Sequence, residues 1–86
     1  MNLRFTDRFT EGYDSLQHQV KAKVDKALGL LLANPRHPSL HVKKMHGKPT
    51  VWEARVDRQH RMTFEIQGDL YVLRGVGKHD ETLRQP

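Results

Sequence analysis

The residues best suited to chemistry lie in two places: residues 51–61, VWEARVDRQHR, and the run Lys78-His79-Asp80 near the end. In an extended strand successive side chains point to opposite faces. Trp52, Ala54 and Val56 therefore share one face, and Val51, Glu53, Arg55 and Asp57 share the other. The chain turns at Arg58-Gln59-His60 and resumes as Arg61-Met62-Thr63-Phe64-Glu65-Ile66, again alternating. A three-residue loop pairs Asp57 with Arg61, Arg55 with Thr63 and Glu53 with Glu65. Both apolar sets then share one face, and both polar sets share the other. A slip of one residue would put Arg61 in the core, so burial selects this register. The outward face carries Glu53, Arg55 and Arg61, a carboxylate flanked by two guanidiniums, which suits a phosphodiester.

The next turn is Gly68-Asp69, a two-residue hairpin loop. It pairs Gln67 with Leu70, Phe64 with Leu73 and Arg61 with Val76. Tyr71 and Leu73 join the core face; Val72 and Arg74 join the face of Arg55 and Arg61. Gly75 and Gly77 are expected to end the strand at Val76. His79 then emerges near Arg61. It is the best acid–base candidate, because histidine exchanges protons near neutrality. A glutamate beside two arginines stays ionised, which favours Glu53 as an electrostatic positioner and weakens it as a base. Each residue also has a plain structural reading. Arg61 pairing with Asp57 would contribute roughly 0–1 kcal/mol, Glu53 could be an ordinary cross-strand residue, and His79 a loop histidine. The parity of Trp52 puts it in the core, and His60 belongs to the turn. Lys43, Lys44, His46 and Lys48, with Arg74 and Lys78, are the candidate phosphate contacts, a salt-sensitive and sequence-independent role.

The elements that must position these residues are legible from periodicity. Leu3-Arg4-Phe5 forms a short strand. Thr6 caps a first helix over residues 7–13, with Phe5 stapling its start. Leu16, Val20, Val24, Ala27, Leu28, Leu31 and Leu32 make one apolar stripe of a second helix, capped by Asp14 or Ser15 and ended at Asn34-Pro35. His37 and His41 are four apart, but Pro38 lies between them with no carboxylate nearby, so they are not a metal pair. Residues 40–45 form a strand or extended lead-in, and His46-Gly47-Lys48-Pro49 is a turn.

The chain has 86 residues, one domain's worth, and no cysteine. Its formal charge is +5. Between His41 and Met62 six lysines and arginines face only Glu53 and Asp57, so +4 of that charge sits in this quarter of the chain. A small basic domain suits a polyanionic partner, although a merely basic surface would look the same. No signal peptide is visible, and the longest apolar run, residues 27–33, is too short for a bilayer. The expected location is the cytoplasm.

The order of motifs resembles the RelE/ParE superfamily of bacterial toxins, with the RelE-type messenger-RNA interferases as the nearest branch. The likeness runs over nearly the whole chain: a short strand, two helices ending in LANPR, then KKMHG, VWEARV, HRMTFEI and LYVLRGVGKHD. It implies an α+β domain spanning residues 1–86, with two N-terminal helices packed on a small, curved, mainly antiparallel sheet like that of a microbial ribonuclease. It also implies a toxin that cleaves messenger RNA in the ribosomal A site without a metal or other cofactor, held in check by a cognate antitoxin. Arg61 matches the family's strand arginine. Glu53 and Arg55 fall where relatives carry Lys, Glu or Arg, and His79 matches the basic residue after the last strand's glycine. Many relatives carry a Tyr or Phe a few residues further on. Here Leu83 stands nearest that position, and no aromatic follows Tyr71. Two other readings stay open: a ParE-like toxin that inhibits DNA gyrase by binding, and a toxin without activity that retains only its antitoxin.

Overall fold

Thr6 organises the N-terminal end. Its hydroxyl oxygen accepts from the Phe9 N–H at 3.2 Å, capping helix α1 (Asp7–Asp14), and the hydroxyl donates to the Leu73 carbonyl at 2.8 Å. One side chain thus starts the helix and ties it to the last strand. The computed structural model describes all 86 residues. Strand β1 (Asn2–Phe5) precedes the cap and pairs in parallel with β5 (Leu70–Lys78), Leu3 opposite Tyr71 and Phe5 opposite Leu73. Phe5 stacks on Phe9 with centroids 5.4 Å apart, as a staple should, yet stays 47% exposed.

Helix α2 (His18–Ala33) begins later than the apolar stripe suggests. Its N-cap is Gln17, without a side-chain cap bond, and Leu16 lies in the preceding turn with its N–H on the Tyr13 carbonyl. Ser15 instead spends its hydroxyl on the Gly12 carbonyl at the end of α1. Val24, Ala27, Leu28 and Leu31 are buried as expected, whereas Leu32 is 42% exposed. The helix stops at Asn34, before Pro35. Tyr13 donates to Asp25 at 2.8 Å and clamps α1 to α2. A short 3-10 turn (Pro38–Leu40) follows, capped by His37, whose Nδ1 accepts from the Ser39 N–H.

The sheet has the order β1-β5-β4-β3-β2 and is antiparallel except for the β1–β5 pair. Strand β2 (Lys43–Met45) and β3 (Lys48–Arg55) join through His46-Gly47. Between β3 and β4 (His60–Gln67) the register is two residues from the expected one: Arg55 faces Arg61, and Glu53 faces Thr63. The cause is Asp57, which leaves the strand to build the turn. Its Oδ1 accepts from the Gln59 N–H at 2.9 Å and the His60 N–H at 2.8 Å. A shift of two preserves which face each side chain takes, so the core assignment of Met62 and Phe64 survives.

Strand β5 pairs with β4 as expected from Gln67–Leu70 to Phe64–Leu73. There the register shifts by a bulge, so that Arg61 faces Gly77 and not Val76. The strand also runs through Gly75 and Gly77 to Lys78, where the glycines were expected to end it. They serve close approach. A β-carbon on Gly77 would lie 3.0 Å from Thr82 Oγ1, and one on Gly75 would lie 3.3 Å from Arg8 Nη2. Helix α3 (His79–Arg84) therefore packs directly on β4 and β5. It is a short helix of six residues.

One core lies between α1, α2 and the sheet, with Phe9, Val24, Leu31, Leu40, Met62, Phe64 and Leu73 almost wholly enclosed. Burying each of the larger side chains is worth about 1.5–3 kcal/mol. Trp52 was expected in the core. It packs against that cluster but stays half-buried, with Lys44 Nζ 5.4 Å above its ring. No helix is long and apolar enough to cross a membrane.

Candidate functional site

The ends of β3, β4 and β5 meet at one corner of the sheet. The pairing Arg55–Arg61–Gly77 runs across it, and α3 starts one residue past the last strand. Arg61 does not stand out into solvent as its parity suggested. It is 8% exposed, and its Nη1 donates to the carbonyls of Asp57 at 2.6 Å and His60 at 2.9 Å, with Arg58 at 3.5 Å. The tight turn after β3 gathers these oxygens, and the guanidinium satisfies them. None of these bonds uses Nε or Nη2. Burial lowers the Arg61 pKa from the usual arginine value, and the Arg55 guanidinium lowers it further; Glu53 and Asp57 pull the other way. Arg55 is half-buried, and its Nε is enclosed without a hydrogen-bond partner.

The turn is densely hydrogen-bonded for a surface loop. Asp57 Oδ1 also meets His60 Nδ1 at 2.9 Å, and Oδ2 lies 3.5 Å from Lys23 on α2. Burial pushes the Asp57 carboxyl up. The His60 ring, the two turn N–H groups and the histidine's charge outweigh it and hold the group below its ordinary value. His60 is structural, as expected.

His79 opens α3 and is tied to this turn: its backbone N–H donates to the Gln59 carbonyl at 2.8 Å. Its ring is half-exposed, with Nδ1 3.0 Å from Asp80 Oδ1. In the tautomer with a proton on Nδ1, Asp80 accepts it and Nε2 is left free. Arg61, Lys78 and His79 line a single polar depression of about 630 Å³ with Arg58, Gln59, Asp80 and Glu81, and no apolar side chain borders it.

The other expected residues are placed less directly. Glu53 lies on the same sheet face, opposite Thr63, but is 8% exposed and does not line the depression; Lys43 Nζ is 3.7 Å from its Oε1. Lys44 belongs to the opposite face with Trp52. His46 and Lys48 are exposed at the start of β3, about 20 Å along the strand from Arg55. Arg74 is the bulged residue; its Nη1 meets Glu65 at 3.0 Å, and its Nε donates to the Pro86 carbonyl at 3.0 Å. Sequence reasoning did not single out Arg58, which lines the depression; its only signal was membership of the basic stretch between His41 and Met62.

No protein-family model and no curated protein sequence matches this chain. Solved structures do. YafQ from E. coli strain BL21(DE3) superimposes with a TM-score of 0.77 at 14% identity, covering 92% of this chain and 93% of that one. The YoeB dimer from Staphylococcus aureus gives 0.76 at 14% identity over 92% and 97%. The RelB–RelE antitoxin–toxin complex from Methanococcus jannaschii gives 0.74 at 15% identity over 91% and 92%. At such identities the likeness is one of fold: helices on one face of a small, mainly antiparallel sheet, in the RelE-like arrangement.

Proposed function

We propose that this chain, built on the fold it shares with YafQ, YoeB and RelE, is the toxin of a toxin–antitoxin pair and cleaves messenger RNA. The observation that carries the reading is the polar depression at the sheet corner, where Arg58, Arg61, Lys78 and His79 converge; Arg55, on the adjoining strand, lines the neighbouring cleft with Lys23 and Lys26 of α2. Arg58, Arg61 and Lys78, three permanent cations around an exposed histidine, suit a reaction that builds negative charge on a phosphate.

The chemistry needs no metal. A ribose 2′-oxygen attacks the adjacent phosphorus, its bond to phosphorus forms, and the bond from phosphorus to the 5′-oxygen breaks. Arg55 and Arg61 balance the charge of the pentavalent phosphate. In its doubly protonated form His79 protonates the leaving 5′-oxygen through Nε2–H, while Asp80 holds Nδ1–H and orients the ring. Glu53 or His79 takes the 2′ proton. The pairing of Glu53 with Lys43 favours a positioning role for the carboxylate. Lys43 and Lys78 add phosphate contacts on this side. The RNA is expected in the ribosomal A site. A cognate antitoxin is the expected protein partner, and the solved DinJ–YafQ and RelB–RelE complexes support it by analogy.

Replacing the nucleotide 5′ of the scissile phosphate by its deoxy form in a purified translation complex should stop cleavage and leave binding nearly unchanged. Products should end in a 2′,3′-cyclic phosphate or 3′-phosphate and a free 5′-hydroxyl. A 5′-phosphate on the downstream product would make water the nucleophile and remove the roles given to His79 and Glu53. One observation favours a second reading: Arg61 spends Nη1 on its own loop. The same corner could then be a binding surface of a gyrase inhibitor or of a toxin without activity. Growth arrest without new RNA ends would select the gyrase inhibitor, and neither arrest nor new ends the toxin without activity.

A further inference from the structure

The polar depression does not stop at the β3–β4 turn. Arg58 and Gln59, which border it, also border a shallow hollow with Lys23 and Asp57. Lys23 and Asp57 in turn border a cleft of about 220 Å³ between α2 and the end of β3. A continuous path therefore leads from the candidate cleavage centre, over the turn, to the side of α2.

The cleft combines two chemistries. Lys23, Lys26 and Leu30 are spaced by three and four residues, so they lie on one strip of α2. The two lysines are exposed, and Arg55 adds a third cation from β3. Leu30, Leu40 and Val56 supply an apolar lining. Asp57 is the one carboxylate there, and it is already engaged. Its Oδ1 holds the turn and the His60 ring, and its Oδ2 lies 3.5 Å from Lys23. No ion pair includes Lys26 or Arg55. Unmatched cations in a cleft with apolar walls focus their field on an anion. Single-stranded RNA offers both matching parts, a phosphate and the flat face of an unstacked base.

We infer that this cleft seats a nucleotide flanking the scissile phosphate, its base against Leu30, Leu40 and Val56 and its phosphate on Lys23 and Lys26. Arg55 stands between this subsite and Arg61, its partner across the ladder. The inference rests on the RNA reading above and adds to it the path of the strand and a requirement for substrate length.

The test measures binding of oligoribonucleotides made uncleavable by 2′-O-methylation, from about four to about ten nucleotides long. Affinity should rise in one step of about fivefold at the length that spans corner and cleft, the low end for a seated base because the lining is aliphatic. Lys23→Gln combined with Lys26→Gln should remove the step and lower the salt slope by about 0.7 per lost phosphate contact. Both lysines are exposed, so the fold is spared. Lys26→Arg should keep the step. An abasic nucleotide at one end of the longer probe, and not at the other, should remove it. A smooth rise with length, or a step that survives the double substitution, overturns the phosphate seat. A step indifferent to an abasic nucleotide at either end overturns the base seat. The RNA reading has its own readout in the translation complex. Cleavage there without a step removes the cleft alone, a step without cleavage keeps the cleft and removes the chemistry, and the absence of both removes both. An oligoglutamate peptide that matches the longer RNA in affinity overturns the nucleotide and gives the cleft to an acidic protein segment.

Discussion

Arg55 and Arg61 are direct cross-strand partners at the open end of the β3–β4 ladder, and the Arg55 charge pushes the Arg61 pKa down. Like charges in that position destabilise a sheet by about 0.2–1 kcal/mol, and the enclosed Arg55 Nε adds an unmet donor. Arg55→Gln should therefore raise stability by about 0.5–1 kcal/mol while reducing RNA cleavage. Urea melts and mapped RNA ends check both halves. A variant both less stable and fully active would show that Arg55 serves the fold.

Arg61→Ala should behave differently. The side chain satisfies carbonyls of the turn, so its removal leaves them exposed to a half-buried corner and costs about 2–3 kcal/mol. A loss of activity in that variant would not separate folding from chemistry. Arg61→Lys can reach a carbonyl but cannot span the set. It should recover about half of the lost stability and little of the activity, read by melting and by single-turnover cleavage.

His79→Ala should leave stability within about 0.5 kcal/mol, since the ring is half-exposed and only its backbone N–H ties the turn. The chemical step should fall by about 10²–10⁴-fold, the usual range for a positioned proton donor. A single-turnover rate equal to that of the unaltered protein would move the proton transfer to another group.

Asp57 is held below the ordinary carboxylate value by the turn's hydrogen bonds and His60. A depressed carboxylate contributes stability that is complete above its unfolded value, near 3.9, and is lost as pH falls through the lower folded value. Stability should thus decline on acidification below about pH 4. Asp57→Asn should cost about 1 kcal/mol at neutral pH and flatten that acid limb. Denaturant midpoints from pH 2 to pH 7, on the scale set by these carboxylate values, decide it. An unchanged acid limb would show that the turn's bonds carry no linkage.

The sheet's two faces were legible because strand parity survives errors of two residues: Met62, Phe64 and Leu73 are buried where alternation put them. The register itself was not legible. Nothing in Arg58-Gln59-His60 reveals that Asp57 accepts from two backbone N–H groups and so lengthens the turn. Gly75 and Gly77 read as breakers because a sequence shows their missing side chains but not the helix and arginine that use the space. The approach of His79 to Arg61 was legible from strand order, whereas the folding back of Arg61 was not. That depends on which carbonyls the turn gathers, a property of backbone path and not of residue type.

The parallel pairing of β1 with β5 gives the molecule a timing property. Asn2 must wait for Leu70, and Phe5 for Leu73, so residues 2–5 stay unpaired until about 65 further residues have been made. The candidate cleavage corner needs β5 as well, because Lys78 and His79 follow it directly. While β5 is still inside the exit tunnel, neither the sheet's edge nor that corner can form. On the proposed function, a ribosome making this protein would carry no competent copy until residues 70–79 have left the tunnel. The same contact leaves a window in which a partner already present in the cell can meet the chain before its sheet closes.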